Sequence, residues 1–479
     1  MRSYSILSIV SRGFIEAFSM SKKIIEKLLN GDLPIDFNWN ADTHRQVAPP
    51  VPFPLEPTTK QVATIEIVSE DLRDGLHGIA QYPTVSGMIE YLSLLYTLGI
   101  RNFTVGIYPG NANKIDASIK LVLSKMREKF PKATPIVLTI ATKEGVAWIA
   151  SCKKINSRLN AIIFMGTAPS RLLVEEWKKT YILDRLRWAV KEATKKYHIG
   201  VIGATEHTTQ TPPEFLRDII QTVVESGAKY FCIADTIGIA RPVGVTRIIS
   251  FTRRVLDDIG AKDVVIDWHG HDDLGNGQGN AMTAIASGAQ RIHTVARGIG
   301  ERAGNTRMES VLLNCVEILK ENRRSIPWNM KMMHTVLSTY DTLTQNPAPM
   351  YGPLGKRSFS TSLGIHTAAI LKARLLAQSA KRMKQKNLAI KLETMAQKIY
   401  SALDPHAVGR KHEIHVGPWS GKSTVQLAYL ELGNDPHELT EELIVMVLTT
   451  VKQLGRELAK DELIKLLNHN HADIIPEPS

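Results

Sequence analysis

Eight short runs of β-branched or apolar residues, separated by stretches of helical period, constrain this chain more than any other feature. The runs are Ala63–Val68, Phe103–Ile107, Ile136–Ile140, Ala161–Met165, Gly200–Ala204, Tyr230–Ala234, Val264–Trp268 and Arg291–Val295. Between them lie amphipathic stretches such as Val85–Leu98, Leu183–Tyr197 and Pro213–Ser226. Eight strand–helix units in roughly 250 residues match the size of a (β/α)8 barrel. A doubly wound open sheet is the alternative. It usually needs fewer strands, and no GxGxxG follows the first run here.

The polar residues favour the barrel, because nearly every unusual one falls just after a strand. Arg73-Asp74-Gly75 follows the first run, Thr167 and Ser170 the fourth, Glu206 and His207 the fifth. Asp235-Thr236-Ile237-Gly238 ends the sixth, His269 and His271 the seventh, and Asn305 lies in the loop after the eighth. In a barrel all these ends meet at the C-terminal face, where barrel active sites are built.

The expected fold class is therefore α/β, a (β/α)8 TIM barrel followed by a mainly helical C-terminal domain. Residues 1–61 read as an N-terminal arm and linker, with an extended proline-rich connector at Pro49-Pro50-Val51-Pro52-Phe53-Pro54. The barrel is expected over 62–325, a turn-rich linker over 326–365 and a mainly helical subdomain over 366–479. Met1 to Met20 is either a weak transit-like segment or a stretch ahead of a working start at Met20-Ser21-Lys22-Lys23, and we favour the second.

A formal net charge of +12 raises the question of nucleic acid. No basic patch interleaved with aromatics is present, and aromatics are only 6% of the chain, so nucleic acid is not an expected partner. The densest basic run, Lys372 to Lys391, reads as a helix with a solvated face. A basic balance also suits a phosphorylated anionic cofactor such as coenzyme A. Three cysteines without metal-ligand spacing fit a reducing, cytoplasmic compartment. No apolar run is long enough to span a bilayer.

His269 and His271, at i and i+2 after a strand-like run, point to the same side of that strand. Two imidazoles so placed reach one metal ion; alone, the pair reads as well as a strand-end hydrogen-bonding motif. Asp74, His269, His271 and Asn305 together would give one charged and three neutral ligands, a set that suits Zn²⁺, Mn²⁺ or Mg²⁺ and leaves positions open for a chelating substrate. Such an ion acts as a Lewis acid on a carbonyl oxygen. Arg73 is placed to donate to a developing alkoxide. Glu206 either orients water or substrate or makes a strand-end salt bridge. Thr236 either binds a substrate carboxylate or closes a local turn. Thr167 is a second candidate for substrate binding.

These residues carry a resemblance. Arg73-Asp74-Gly75, His269-Gly270-His271-Asp272-Asp273-Leu274-Gly275 and Gly298-Ile299-Gly300-Glu301-Arg302-Ala303-Gly304-Asn305 resemble the signatures of the metal-dependent barrel lyase/synthase superfamily. Within it the chain is most similar to the 2-isopropylmalate, homocitrate and citramalate synthases. The resemblance runs through Ala234-Asp235-Thr236-Ile237-Gly238, Gly364-Ile365-His366-Thr367 and Ile399-Tyr400-Ser401 to Ser420-Gly421-Lys422, covering about residues 62–425. It implies a Claisen condensation of acetyl-CoA with a 2-oxo acid. Asp74, His269 and His271 would bind a divalent metal, with Asn305 nearby or coordinating. Arg73 would stabilise the alkoxide, and Glu206, His366 and Tyr400 would assist proton transfer or hydrolysis. In that family the last two enter the partner subunit's barrel, so a homodimer is implied.

The chain departs from the pattern at four places, one of them strand five, where Thr205-Glu206-His207-Thr208-Thr209-Gln210 stands in place of the family's frequent Glu-Asp-Ala-x-Arg. The family's usual Arg-Asp-Gly-Glu-Gln is here Arg73-Asp74-Gly75-Leu76-His77, and a histidine there resembles the aldolase branch, which cleaves 4-hydroxy-2-oxo acids. His77 is therefore a candidate base. Thr104 stands where an acid is expected at the end of strand two, and Asp272 replaces an asparagine. The chain ends soon after Ser420-Gly421-Lys422, so the leucine-sensing regulatory domain of many relatives is not expected.

Overall fold

The computed structural model describes residues 36–41, 56–110 and 113–467. The expectations for Met1–Met20 and for the Pro49–Pro54 connector fall outside the described residues. The chain divides into two compact units between Pro327 and Trp328.

The first unit is a closed barrel of eight parallel strands in sequential order. The strands are β1 (Glu66–Ser69), β2 (Asn102–Ile107), β3 (Thr134–Ile140), β4 (Asn160–Gly166), β5 (Gly200–Glu206), β6 (Tyr230–Asp235), β7 (Val265–Gly270) and β8 (Arg291–Thr294). β8 closes onto β1 in unbroken register from Glu66↔Arg291 to Ser69↔Thr294. Helices on the outside cover the barrel, so both faces of its strands are buried and they read as continuous apolar runs. The helices start where the sequence satisfies their first amides. Thr84, Asn113 and Thr142 cap Val85–Leu98, Lys114–Lys129 and Lys143–Ile155, and proline opens Pro213–Glu225 and Pro242–Asp258.

Two expected boundaries shift. The first strand begins at Glu66 rather than Ala63. Ala63 and Thr64 complete a helix, Thr59–Thr64, nucleated by a capping box in which Thr58 and Gln61 satisfy each other's amides. The helix expected to end at Tyr197 runs over Lys179–Lys191 and finishes in a π turn, Glu192–Lys196.

Before the barrel, residues 36–41 lie across the loops after β4, β5 and β6. Asp36 accepts from the Ser170 amide at 2.9 Å and from Gln210 Nε2 at 2.8 Å. The buried Trp39 donates its indole N–H to the Thr211 carbonyl and packs on Phe251. Asn40 accepts from the Arg241 amide at 2.7 Å.

The second unit is mainly helical. Its helices are Met333–Thr344, Gly364–Arg382, Lys386–Lys398, Lys422–Glu431, Glu441–Leu454 and Lys460–Leu467, joined by a two-strand parallel ladder of Ser360–Thr361 with Glu413–Ile414. Val425, Ala428, Leu443, Ile444, Val447 and Val451 form part of one apolar cluster in it. The stretch 326–365, expected to be turn-rich, holds the twelve-residue helix Met333–Thr344. Turns flank it on both sides, a 3-10 turn at Met330–Met332 before it and the longer turn segment after it. That helix buries Met333, Val336, Leu337 and Tyr340 at i, i+3, i+4 and i+7, a helical stripe that the neighbouring prolines obscure in the sequence.

Candidate active site at the barrel mouth

A cavity of about 350 Å³ opens at the C-terminal ends of the strands. Arg73, Asp74, His77, Glu206, Thr236, His269, His271, His293, Glu301 and Arg302 supply its polar lining. Ile107, Leu138, Ile162, Phe164 and Ala204, from β2 to β5, make its apolar wall. A larger surface hollow outside the barrel, between Val85–Leu98 and Lys114–Lys129, has only Glu90 and two lysines among its lining side chains of ionic character.

Asp74 sits in a 3-10 turn just after β1, and β7 aims His269 and His271 at it. Asp74 Oδ2 lies 3.4 Å from Nε2 of each histidine. This oxygen is buried and makes no hydrogen bond of good geometry. Burial disfavours the charged carboxylate, but the Arg73 guanidinium and the contacts with His269 and His77 outweigh it and hold the carboxyl far below its usual range. His271 Nδ1 is 3.1 Å from the Gly304 carbonyl. That partner assigns the proton to Nδ1 and leaves the Nε2 lone pair facing Asp74. Burial, helped by His269, pulls the His271 imidazole down to about 4, so it is neutral at ordinary pH. One carboxylate and two imidazoles, with one buried carboxylate oxygen in no hydrogen bond of good geometry, are the donor set of a divalent cation site.

Two other acid–histidine groups come equally close, Glu70–His269–His293 and Cys232–Asp267–His293. Both His293 nitrogens already face carboxylates, Glu70 Oε1 at 2.6 Å and Asp267 Oδ2 at 3.3 Å. An imidazole with two acceptors carries two protons. With Arg73 on Glu70 and Arg291 on Asp267, these groups are internally neutralised ion pairs rather than cation sites.

The remaining candidates separate clearly. Arg73 lines the cavity, donates from Nε to Glu70 at 2.9 Å and has Nη1 3.2 Å from Asp74 Oδ2. His77 Nδ1 is 3.2 Å from Asp74 Oδ1 and 3.3 Å from Glu301 Oε1. Glu206, at the end of β5, lines the cavity with its Oε2 3.7 Å from Arg171 Nε. The Thr236 hydroxyl accepts from the His207 amide at 2.7 Å, tying the loops after β5 and β6 together. Asn305 is buried beside His271, bridged to it through the backbone, and its Nδ2 donates to the Ile299 carbonyl. The glycine turn permits this. Gly300 has φ 141°, and a Cβ there would stand 2.3 Å from Asn305 Nδ2 and 3.2 Å from the Asp74 carbonyl.

Thr167 does not line the cavity. It is fully buried, and its hydroxyl lies 3.0 Å from the Glu206 carbonyl and 2.6 Å from Thr211 Oγ1. Its hydroxyl is engaged at the end of β5 rather than facing the cavity. Thr104 is also buried off the cavity. A register shift between Thr104 and Ile107 brings Ile107 to the wall in its place. His366 and Tyr400 lie in the second unit, where their rings stack with centroids 4.0 Å apart.

Reading the sequence by motif gave no role to Glu301 and Arg302 beyond their place in a signature. In the cavity Arg302 forks onto Asp273 and donates to the Thr236 carbonyl, so it braces the loops after β6 and β7. The apolar wall was also missed, because nothing in a strand sequence tells which alternate residues face the mouth.

Among the described residues, no helix is long and apolar enough to cross a membrane. Several known proteins are similar to this chain. The homocitrate synthase of Methanopyrus kandleri is 28% identical over 84% of this chain and 91% of its own length. The 2-isopropylmalate synthase of Buchnera aphidicola is 25% identical over 82% of this chain and 71% of its own length. Among solved structures, an HMG-CoA lyase from Brucella melitensis aligns with a TM-score of 0.48 and 17% identity, over 59% of this chain and 99% of that one. Enzymes of this kind use a divalent metal, and the Asp74–His269–His271 group is a candidate site for one. The HMGL-like family model matches residues 64–340, more than half of the sequence, and the chain belongs to that family.

Proposed function

We propose that this chain condenses acetyl-CoA with a 2-oxo acid bearing an apolar side chain, giving a 2-alkylmalate-type product in the manner of a 2-isopropylmalate synthase. One observation carries the reading: Asp74, His269 and His271 converge on one side of a cavity whose opposite wall is apolar. Every basic side chain lining that cavity already faces a carboxylate. Arg73 has Glu70 and Asp74, Arg302 has Asp273, His77 has Asp74 and Glu301, and His293 has Glu70 and Asp267. A second carboxylate on the substrate would therefore meet Ile107, Leu138, Ile162 or Phe164 and lose its hydration without compensation.

Asp74, His269 and His271 would hold the divalent ion, with the Asn305 amide beside them. When bound it supplies Lewis-acid polarisation of the 2-oxo group. Arg73 lines the cavity and would donate to the alkoxide that develops on the attacked carbonyl. Thr236 would take the substrate carboxylate. Glu206 is within reach of the cavity for proton transfer or for orienting the water that hydrolyses the thioester. His366 and Tyr400 would complete the site from a partner subunit, in a homodimer. Such an activity would belong to amino-acid biosynthesis of the leucine type, and a cytoplasmic location is part of this proposal.

The test is thiol release, with acetyl-CoA and a panel of 2-oxo acids, in Mg²⁺, Mn²⁺ and Zn²⁺. Release with branched or linear aliphatic 2-oxo acids, and little with 2-oxoglutarate, is expected. A second reading is favoured by His77. Its contacts to both Asp74 and Glu301 place a titratable imidazole at the mouth, where an aldolase-type lyase acting on a 4-hydroxy-2-oxo acid would need its base. Pyruvate formation from such acids, with no thiol release across the panel, would decide for the lyase.

A further inference from the structure

Below the cavity the barrel interior departs from the branched apolar layers that usually fill it. Glu70, Asp267, Arg291 and His293 are all at most 2% exposed. They form a line of alternating charge. At the bottom the Arg291 guanidinium lies 4.0 Å from the centre of the Tyr230 ring and donates from Nε to Asp267 at 2.8 Å. Asp267 meets one His293 nitrogen and Glu70 the other. Glu70 then holds Arg73, and Arg73 approaches Asp74.

Stability alone does not account for this line. Well-packed apolar residues in place of a buried ion pair are often neutral or stabilising. Its upper end supplies a reason. Asp74 Oδ2 is 3.2 Å from Arg73 Nη1 and 3.4 Å from both imidazoles, so the oxygen that faces the cation position is the one the guanidinium approaches. Arginine and carboxylate pair best through two parallel hydrogen bonds. An unrestrained Arg73 would close on Asp74 with both nitrogens and compete with a cation for it. Glu70 prevents that by engaging Nε from below. His293 fixes Glu70, Asp267 fixes His293, and Arg291 neutralises the far end.

We propose that Glu70, backed by His293, Asp267 and Arg291, is a positioning residue that restrains the Arg73 guanidinium and so keeps the Asp74 carboxylate open to a divalent cation. The inference rests on the metal site of the proposed function and not on the reaction.

The experiment is Mn²⁺ titration of the full chain by calorimetry, without substrate, in wild type and in Glu70→Gln, His293→Gln, Arg73→Gln and the two double variants containing Arg73→Gln. Glu70→Gln should weaken Mn²⁺ binding by roughly 10-fold or more, the usual scale for groups that orient metal ligands, and His293→Gln by less. Arg73→Gln should not weaken it. In the Arg73→Gln background neither substitution should have a further effect, because no guanidinium remains to restrain. Equal weakening with and without Arg73, or no weakening at all, overturns the proposal. If Glu70→Gln fails to fold, as judged by its melting curve, His293→Gln with Arg73→Gln completes the same cycle one step farther from the site. A wild type that binds no Mn²⁺ removes this inference and the metal site with it. A wild type that binds Mn²⁺ but releases no thiol counts against the proposed reaction alone.

Discussion

The two halves of the barrel wall are built on opposite principles. From β2 to β5 the residues reaching the cavity are Ile107, Leu138, Ile162, Phe164 and Ala204, which join an apolar cluster with Val68, Ile136 and Ile202. From β7 through β8 to β1 the interior carries Asp267, His269, Arg291, His293 and Glu70. An apolar wall sorts ligands by shape, and a methylene more or less is worth only about 1–3 kcal/mol. A buried ionic wall is less tolerant, because removing one partner strands the other. The difference teaches where single substitutions should matter most.

The largest effect should fall on the ionic side at the mouth. His269→Ala is expected to abolish stoichiometric divalent-metal binding and to lower kcat/KM by roughly 10³-fold, about 4 kcal/mol of barrier. Retention of full metal binding would break the division proposed here. Lower in the barrel, Asp267→Asn leaves Arg291 and His293 short of a counter-charge in a fully buried place. A loss of about 3–5 kcal/mol of stability, read by denaturant unfolding, is expected.

The ionic side also extends behind β8 to Glu309, which accepts from the Arg297 amide and has its other oxygen buried without a partner. Burial pushes this carboxyl up to about 7 from the usual 4.5. The folded chain therefore holds a proton between pH 4.5 and 7 that the unfolded chain releases. Its contribution to stability is complete below pH 4.5 and is lost as pH rises through 7, by up to roughly 3 kcal/mol. Glu309→Gln should flatten the melting temperature across that window and raise it at pH 8; an unchanged profile would show that other groups set it. The smallest effect belongs to the apolar side. Phe164→Ala should leave metal binding intact and shift preference toward longer 2-oxo acids by roughly 10- to 100-fold in relative kcat/KM.

Eight strands were legible because each is buried on both faces and so reads as an unbroken apolar run. β1 was misplaced at its start because Ala63 and Thr64 suit helix or strand, and the Thr58–Gln61 capping box decided between them. The cluster of Asp74, His269 and His271 was legible from i, i+2 geometry and from strand ends meeting at one face. The place of Thr167 off the cavity was not legible, for a related reason. Lying after a strand places a residue near the mouth but does not say whether its hydroxyl faces a ligand or the next strand's carbonyl. The ionic floor was illegible for a deeper one. Arg291 and His293 sit in β8 among apolar neighbours, and their partners Asp267 and Glu70 are 24 and 223 residues away in sequence. Pairing of β7 with β8 sets Asp267 beside Arg291 and His293, and barrel closure of β8 onto β1 adds Glu70.

The short stretch from Asp36 to Ala41 joins the loops after β4, β5 and β6 by hydrogen bonds to Ser170, Gln210, Thr211 and Arg241. Those loops follow the strands that carry Phe164, Glu206 and Ala234 into the cavity. The barrel thus does not own its mouth outright. A chain beginning at residue 56 would keep every strand and every charged group that lines the cavity, yet its rim would be free to breathe on the side where, under the proposed function, the substrate's tail would be measured. If the proposed reaction holds, selectivity should then soften while metal binding at Asp74, His269 and His271 persists, and fidelity and catalysis would come from separate parts of one polypeptide.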